Sequence, residues 1–192
     1  MRVLVACEYS GTVRDAFSRK GCEAWSCDLL ETDAPGNHYK GDVRDLLSQR
    51  WDLVIAHPPC TRLCNSGVSW LEKRGLHNEM REGAEFFKTF LQLGRTPVCI
   101  ENPIMHKYAV NIIGCRQTQV IHPWMFGHGE TKATCLWLKY LPRLVATNVV
   151  EGREQRLFCL PPSPDRWKER SKTFQGIADA MAEQWTKYLI NL

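Results

Sequence analysis

The chain contains no apolar run approaching the ~20 residues that span a bilayer, which excludes a hydrophobic helical anchor. It has no internal repeat and no low-complexity tract, so neither a solenoid nor a disordered linker is expected. It has no Cys-x-x-Cys pair. The nearest spacings are Cys60-x3-Cys64 and Cys22-x4-Cys27, which speak against a zinc centre, and no metal ligand set is expected. It lacks a strong excess of one charge: 25 Lys and Arg oppose 21 Asp and Glu, for a net charge of +4. Such a mild basic balance is compatible with a nucleic acid partner and does not require one. A secretory leader is also missing from the reading, because Met1-Arg2 runs directly into the strand-like Val3–Ala6, and a cytoplasmic protein is expected. What the chain does have is nine cysteines in 192 residues. An odd number, scattered over this length, fits a reducing compartment better than a disulfide scaffold. The length itself suggests one domain, large enough to fold around its own core.

Short apolar runs alternate with amphipathic stretches. Arg2–Cys7 reads as a buried strand and Thr12–Arg19 as a helix with Val13, Ala16 and Phe17 on one face, stopped near Gly21. Further strands are expected over Glu23–Asp28, His38–Val43, Trp51–His57 and Pro97–Ile100. A long polar stretch runs from Pro58 to His77. Asn78–Leu93 is the clearest helix, with Met80, Ala84, Phe87 and Leu91 in register. Gln117–Ile121 and Ala133–Leu138 read as later strands, and the chain ends in a helix with Ile177, Met181, Trp185, Tyr188 and Leu192 on one face. This alternation predicts an α/β fold with a mostly parallel sheet. In such sheets ligands lie beyond the carboxyl ends of the strands. Here those ends carry Glu8-Tyr9-Ser10-Gly11, Asp28, Asp42, His57-Pro58-Pro59-Cys60 and Glu101-Asn102, so the unusual chemistry falls on one edge.

Each of these positions has two readings. Pro58-Pro59 fixes a rigid turn that holds Cys60 at the sheet rim, where the thiol is either a nucleophile or a buried structural group. Glu101 on a neighbouring strand can reach the same pocket. A thiolate that adds to an electron-poor ring needs such an acid to protonate a ring nitrogen. The plainer reading makes Asn102 the cap of a helix starting near Pro103. Asp28 and Asp42 suit the hydroxyls and amino group of a nucleoside, or are solvated strand-end turns; Gly11 lies where backbone must approach a ligand. The loop-rich stretch from Lys139 to Lys172 holds eight basic and four acidic residues, so its excess equals the net charge of the whole chain. It is either a phosphate-contacting surface or a solvated loop.

In that order, over nearly the whole chain, these residues resemble the cytosine-C5 DNA methyltransferases that use S-adenosylmethionine. Val5-Ala6-Cys7-Glu8-Tyr9-Ser10-Gly11 is similar to the family's glycine-rich cofactor motif, Cys27-Asp28-Leu29 to the segment whose acid holds the ribose, and Gly41-Asp42-Val43 to the motif whose Asp meets the adenine amino group. Asp52-Leu-Val-Ile-Ala-His-Pro-Pro-Cys60 resembles the Pro-Cys strand and loop, continued by Asn65-Ser66-Gly67, and Ile100-Glu101-Asn102 resembles the Glu-Asn motif. Thr173–Glu183 resembles the helix that completes the cofactor pocket. The likeness is nearest to short, bacteriophage-type members. It implies a Rossmann-like class I methyltransferase fold with helices on both faces. Cys60, Glu101 and Asn102 would be catalytic. Cys7, Glu8, Ser10, Gly11, Asp28, Leu29, Asp42, Val43, Pro58 and Gln175 would hold the cofactor, and Pro59, Thr61, Ser66, Lys132 and Thr134 would meet the substrate.

The chain departs from the family's pattern at four places. Only Gly11 remains of the glycine cluster, and the ribose acid is Asp rather than Glu. Lys132 and Thr134 of Glu130-Thr131-Lys132-Ala133-Thr134 stand at two arginine positions. The segment Tyr140–Lys172 occupies the place of a large target-recognition domain and is too short to be one. The resemblance implies attack of Cys60 on C6 of cytosine, protonation of N3 by Glu101 and methylation at C5, with duplex or single-stranded DNA as partner. The missing domain keeps a free pyrimidine nucleotide open as the substrate, and a non-catalytic binding module is the third reading.

Overall fold

The computed structural model describes residues 1–192. One seven-stranded sheet runs through it: β1 Arg2–Ala6, β2 Glu23–Asp28, β3 His38–Lys40, β4 Leu53–Ala56, β5 Val98–Asn102, β6 Gln119–Ile121 and β7 Thr134–Lys139. Their spatial order is β3-β2-β1-β4-β5-β7-β6. The first five strands pair in parallel, whereas β7 pairs antiparallel with both β5 and β6. The chain leaves β1 in one direction to build β2 and β3, then returns to lay β4 against the other side of β1. That reversal opens a crevice beyond the carboxyl ends of β1 and β4, the usual ligand position in doubly wound sheets.

Seven helices flank the sheet: α1 Thr12–Arg19, α2 Val68–Arg74, α3 His77–Leu91, α4 Lys107–Ile113, α5 Arg156–Cys159, α6 Arg166–Ser171 and α7 Gln175–Ile190. Because β1 and β4 are covered on both faces, they are apolar at every position after Arg2 rather than alternating. Leu4, Ala6, Val54 and Ala56 face a core closed by Leu71, Met80, Ala84, Phe87 and Ala109 from α2, α3 and α4. Val3, Val5, Leu53 and Ile55 face a second core closed by Val13 and Phe17 of α1 and by Ile177, Met181 and Trp185 of α7. Helices on both faces of a mostly parallel sheet give a Rossmann-like α/β fold. No helix is long and apolar enough to cross a membrane.

Several expectations are corrected. The strand expected over His38–Val43 stops at Lys40, and Val43 begins a short 3-10 turn capped by the Asp42 side chain. The polar stretch 58–77 contains α2. Asn102 does not cap a helix at Pro103. The next helix starts at Lys107, and its cap is the His106 ring, which accepts from the Ala109 amide. On α7 the last buried residues are Trp185 and Thr186; Tyr188 is exposed, and Leu192 lies beyond the helix.

Candidate active site

The four buried residues of β4 lead into His57-Pro58-Pro59-Cys60. The prolines cannot continue the ladder, so the chain leaves the sheet. It then turns back sharply: the amides of Leu63 and Cys64 both donate to the Cys60 carbonyl, at 2.9 and 3.0 Å. This turn is pinned to the segment that follows β5. His106 Nε2 donates to the Arg62 carbonyl (2.9 Å), the His106 amide to Leu63 (3.0 Å) and the Asn65 amide to Ile104 (3.0 Å). From inside β5, buried Asn102 donates through Nδ2 to the Pro58 carbonyl at 2.9 Å. The loop carrying Cys60 is therefore tied to β5 at its start and to the segment after β5 beyond the cysteine.

Glu101, the residue before Asn102, receives a hydrogen bond of 3.1 Å from His57 Nδ1 to its Oε2. Burial alone would raise its pKa. The His57 hydrogen bond and the positive charge of Lys132 outweigh burial, so the carboxyl lies below its usual range. Cys60 behaves oppositely: a hydrogen bond shared with Cys64, burial, and the nearby charges of Cys64 and Glu101 hold the proton on its thiol. Within this pair Cys64 is the sulfur that ionises, down to about 5. The Cys60 hydrogen bond favours its thiolate first, burial opposes, and the Ser66 hydroxyl at 3.0 Å and the amides of Ser66 and Gly67 add to it. Cys60 must therefore give up a firmly held proton to a base before it can act as a nucleophile.

On the other side of the crevice, the loop after β1 turns through Cys7 and Gly11, both at positive φ (58° and 73°). The buried Glu8 carboxylate accepts from the amides of Val13 (2.7 Å) and Arg14 (3.2 Å) and from the Ser10 hydroxyl (3.3 Å). It thereby caps α1 from four residues ahead of Thr12, and its oxygens are occupied. A ligand here meets the loop's backbone rather than the Glu8 carboxylate. The Cys7 thiol is pushed up by burial and by Asp28, Cys27 and Asp42.

Asp28 caps the Leu30 amide with one oxygen at 3.0 Å, and neighbouring Leu29 is 73% exposed. A carboxylate with a free oxygen beside an exposed apolar side chain suits a ribose hydroxyl and a ring face. Of the other residues expected at a nucleoside cofactor, Pro58 is buried, as are Glu8 and Gly11 of the β1 loop. Asp42 is less available: Arg44 grips both its oxygens and, with the Arg44 amide, holds it near pKa 2, while Val43 is buried behind it.

The remaining sequence candidates separate into two groups. Cys60, Glu101, Asn102, Pro58 and Ser66 are brought together, and Lys132 lies close enough to act on Glu101. The Lys132 ammonium, however, donates to the carbonyls of Arg170 (2.9 Å) and Lys172 (3.5 Å), and the Thr134 hydroxyl to the Lys132 carbonyl (3.2 Å). Gln175 is bonded to Asp179 one turn on (2.9 Å). Pro59 and Thr61 are exposed on the outer side of the loop. Sequence reasoning passed over His57 and Cys64. The i, i+4 spacing of Cys60 and Cys64 was the available signal for the second. Nothing local marked the first, whose partner is 44 residues away.

No protein-family model and no curated protein matches this chain. A solved structure of a methyltransferase from Entamoeba histolytica, EhMeth, is similar in fold, with a TM-score of 0.50 at 13% identity. The match covers 85% of this chain and 60% of that one, so this chain spans less than two thirds of its neighbour. The shared feature is the fold, a Rossmann-like one also used by a methyltransferase.

Proposed function

We propose that this protein transfers a methyl group from S-adenosylmethionine to C5 of cytosine in DNA, through a covalent bond between Cys60 and C6. The observation that carries the reading is the meeting of Cys60 with Glu101 and Asn102 at adjacent strand ends, with Asn102 bonded to the turn that presents the cysteine. The cofactor, when bound along the β1 loop and Asp28, supplies an electrophilic methyl group for the ring carbon.

The chain's own residues do the rest. Cys60 gives its proton to a base, and its sulfur bonds to C6. Glu101, protonated in the substrate complex, gives its proton to N3 as the ring's electrons shift toward C5. Asn102 keeps the loop at the distance set by its bond to Pro58. After C5 has gained its methyl group and lost its proton to a base, the C6–S bond breaks, Cys60 leaves as a thiolate, and N3 returns its proton to Glu101. Holding the reacting groups in register supplies much of the rate. The segment 139–172 stands in place of a recognition domain. Trp70 on α2 lies just after the Cys60 loop, half exposed, with the Arg74 guanidinium 4.3 Å from its ring centre, an arrangement suited to stacking beside phosphate.

One observation favours a second reading, methylation of a free pyrimidine nucleotide. Residues 166–172 fold over the cofactor edge instead of standing away from it: the Tyr9 hydroxyl donates to the Lys168 carbonyl (2.9 Å), and Lys172 pairs with Asp33 (3.4 Å). A labelled-methyl transfer assay with duplex DNA, single-stranded DNA, RNA and free nucleotides side by side tests both. In the same assay, a 5-fluorocytosine oligonucleotide should leave a covalent adduct on the Cys60 peptide, because fluorine cannot depart as a proton does. Transfer to nucleotides alone replaces the first reading by the second. Transfer without an adduct, or undiminished transfer by Cys60→Ala, removes Cys60 as nucleophile.

A further inference from the structure

His57 is mostly shielded, with its side chain 10% exposed, and makes a single side-chain hydrogen bond, from Nδ1 to Glu101. It stands at the end of β4, between β1 and β5, so it lies between the buried carboxyls of Glu8 and Glu101. Glu8 is fully engaged by amides. Lys132 is engaged by the Arg170 and Lys172 carbonyls. His57 is thus the only side chain hydrogen-bonded to the acid that the proposed reaction needs. Its Nε2 is buried and has no partner. With Nδ1 donating to a carboxylate, a neutral ring leaves Nε2 as an acceptor. A buried acceptor without a donor destabilises the resting protein, which a bound ligand's N–H would relieve.

We propose that His57 is the positioning residue for Glu101: through Nδ1 it fixes the carboxyl in the orientation that faces the ring held by Cys60. The proposal rests on the covalent methyl-transfer reading. The groups facing Glu101 are His57 from the end of β4, Cys60 from the loop, Cys99 on its own strand, and Lys132 and Cys135 from the β7 side. Of these, His57 and Lys132 favour the carboxylate. Removing the imidazole leaves burial opposed by Lys132 alone, so Glu101 should keep its proton to higher pH.

The test compares His57→Ala, His57→Asn and His57→Gln. The asparagine amide reaches the place of Nδ1, whereas the glutamine amide reaches that of Nε2. His57→Ala should lower kcat on DNA by about 10- to 100-fold, the range for losing an orienting partner, with a small change in KM for DNA. Its alkaline limb should move to higher pH. His57→Asn should restore the limb and most of kcat, and His57→Gln should not. Carbon-13 NMR titration of the Glu101 carboxyl, in the same variants and the wild type, reads the coupling without any turnover. An upward shift in His57→Ala that His57→Asn reverses supports the proposal. An unmoved carboxyl, or equal rescue by Asn and Gln, overturns it. If the wild type transfers no methyl group yet the carboxyl titration moves as stated, the methyl-transfer reading fails and the His57–Glu101 coupling stands.

Discussion

Gly67 gives a sharp test of how tightly the Cys60 loop is packed. Its backbone lies in the ordinary right-handed region (φ −96°, ψ −12°), so alanine carries no conformational penalty there. The space is the obstacle. A Cβ at Gly67 would come well inside 3.0 Å of the Thr61 carbonyl oxygen, a backbone atom with no flexible end to swing aside. Relieving that contact moves the Thr61 peptide on the order of 1 Å, and Thr61 adjoins Cys60. Gly67→Ala should therefore cost about 1–3 kcal/mol of stability, as overpacking does, and lower kcat by about 100-fold. The control is Gly83→Ala on α3. There the nearest side-chain atom would be Leu63 Cδ2 at 3.6 Å, an ordinary contact, so stability should rise by about 0.5–1 kcal/mol with activity unchanged. Urea unfolding and methyl transfer on the same preparations separate the two effects. Gly67→Ala with kcat within about threefold of wild type would refute the claim that the 61–67 loop holds the nucleophile in place.

Arg14 is completely buried and donates to Asp15 (2.7 Å), Ser26 (3.1 Å), Thr32 (3.3 Å), Ala34 (3.2 Å) and Pro35 (2.9 Å), so Arg14→Met strips five acceptors at once. A loss of at least about 2 kcal/mol is expected in urea unfolding, and a midpoint equal to wild type would contradict it. For the Cys60–Cys64 pair, the folded chain lacks one thiol proton that the unfolded chain keeps between pH of about 5 and the ordinary thiol value of 9.0. Stability from the pair should rise with pH across that window and be lost as pH falls through about 5; Cys64→Ser should flatten this slope in urea midpoints. Tyr9→Phe removes the hydroxyl that holds the Lys168 carbonyl, so trypsin should cut residues 166–172 faster, while an unchanged cutting rate would show that the anchor lies elsewhere.

The parts legible in the sequence are those set by local pattern. Thr12–Arg19 and Glu23–Asp28 have the expected bounds because a helical stripe and a strand ending in Asp are each written in adjacent residues. Helix α2 was hidden, since Val68 and Leu71 are its only aliphatic residues and two such positions show no period. The antiparallel β7 was equally hidden, because strand direction is set by the connection through α4 and β6 rather than by composition. At the site, residue types were readable and pairings were not. Nothing near Asn102 says that its amide bonds to Pro58. The Arg44 grip on Asp42 needed only a glance two residues ahead, yet a motif reading of Gly41-Asp42-Val43 stops short of it.

The pairings also explain why one edge of this sheet can hold so many buried acids. Glu8, His57 and Glu101 end three neighbouring strands, β1, β4 and β5, about 4.8 Å apart along the sheet. Glu8 and Glu101 lie two such spacings apart with β4 between them, and two unpaired carboxylates buried that near each other would still hold protons more firmly. Each is instead given a different partner: Glu8 the amides of α1, Glu101 the imidazole between them. The first is thereby committed to structure and the second, held by one side chain, stays free to exchange a proton. A sequence with an apolar residue at position 57 would leave Glu101 to Lys132 alone. Two acids at one edge, one fixed and one mobile, require a group that donates to one without contesting the amides of the other, and the histidine at the end of the middle strand meets that requirement.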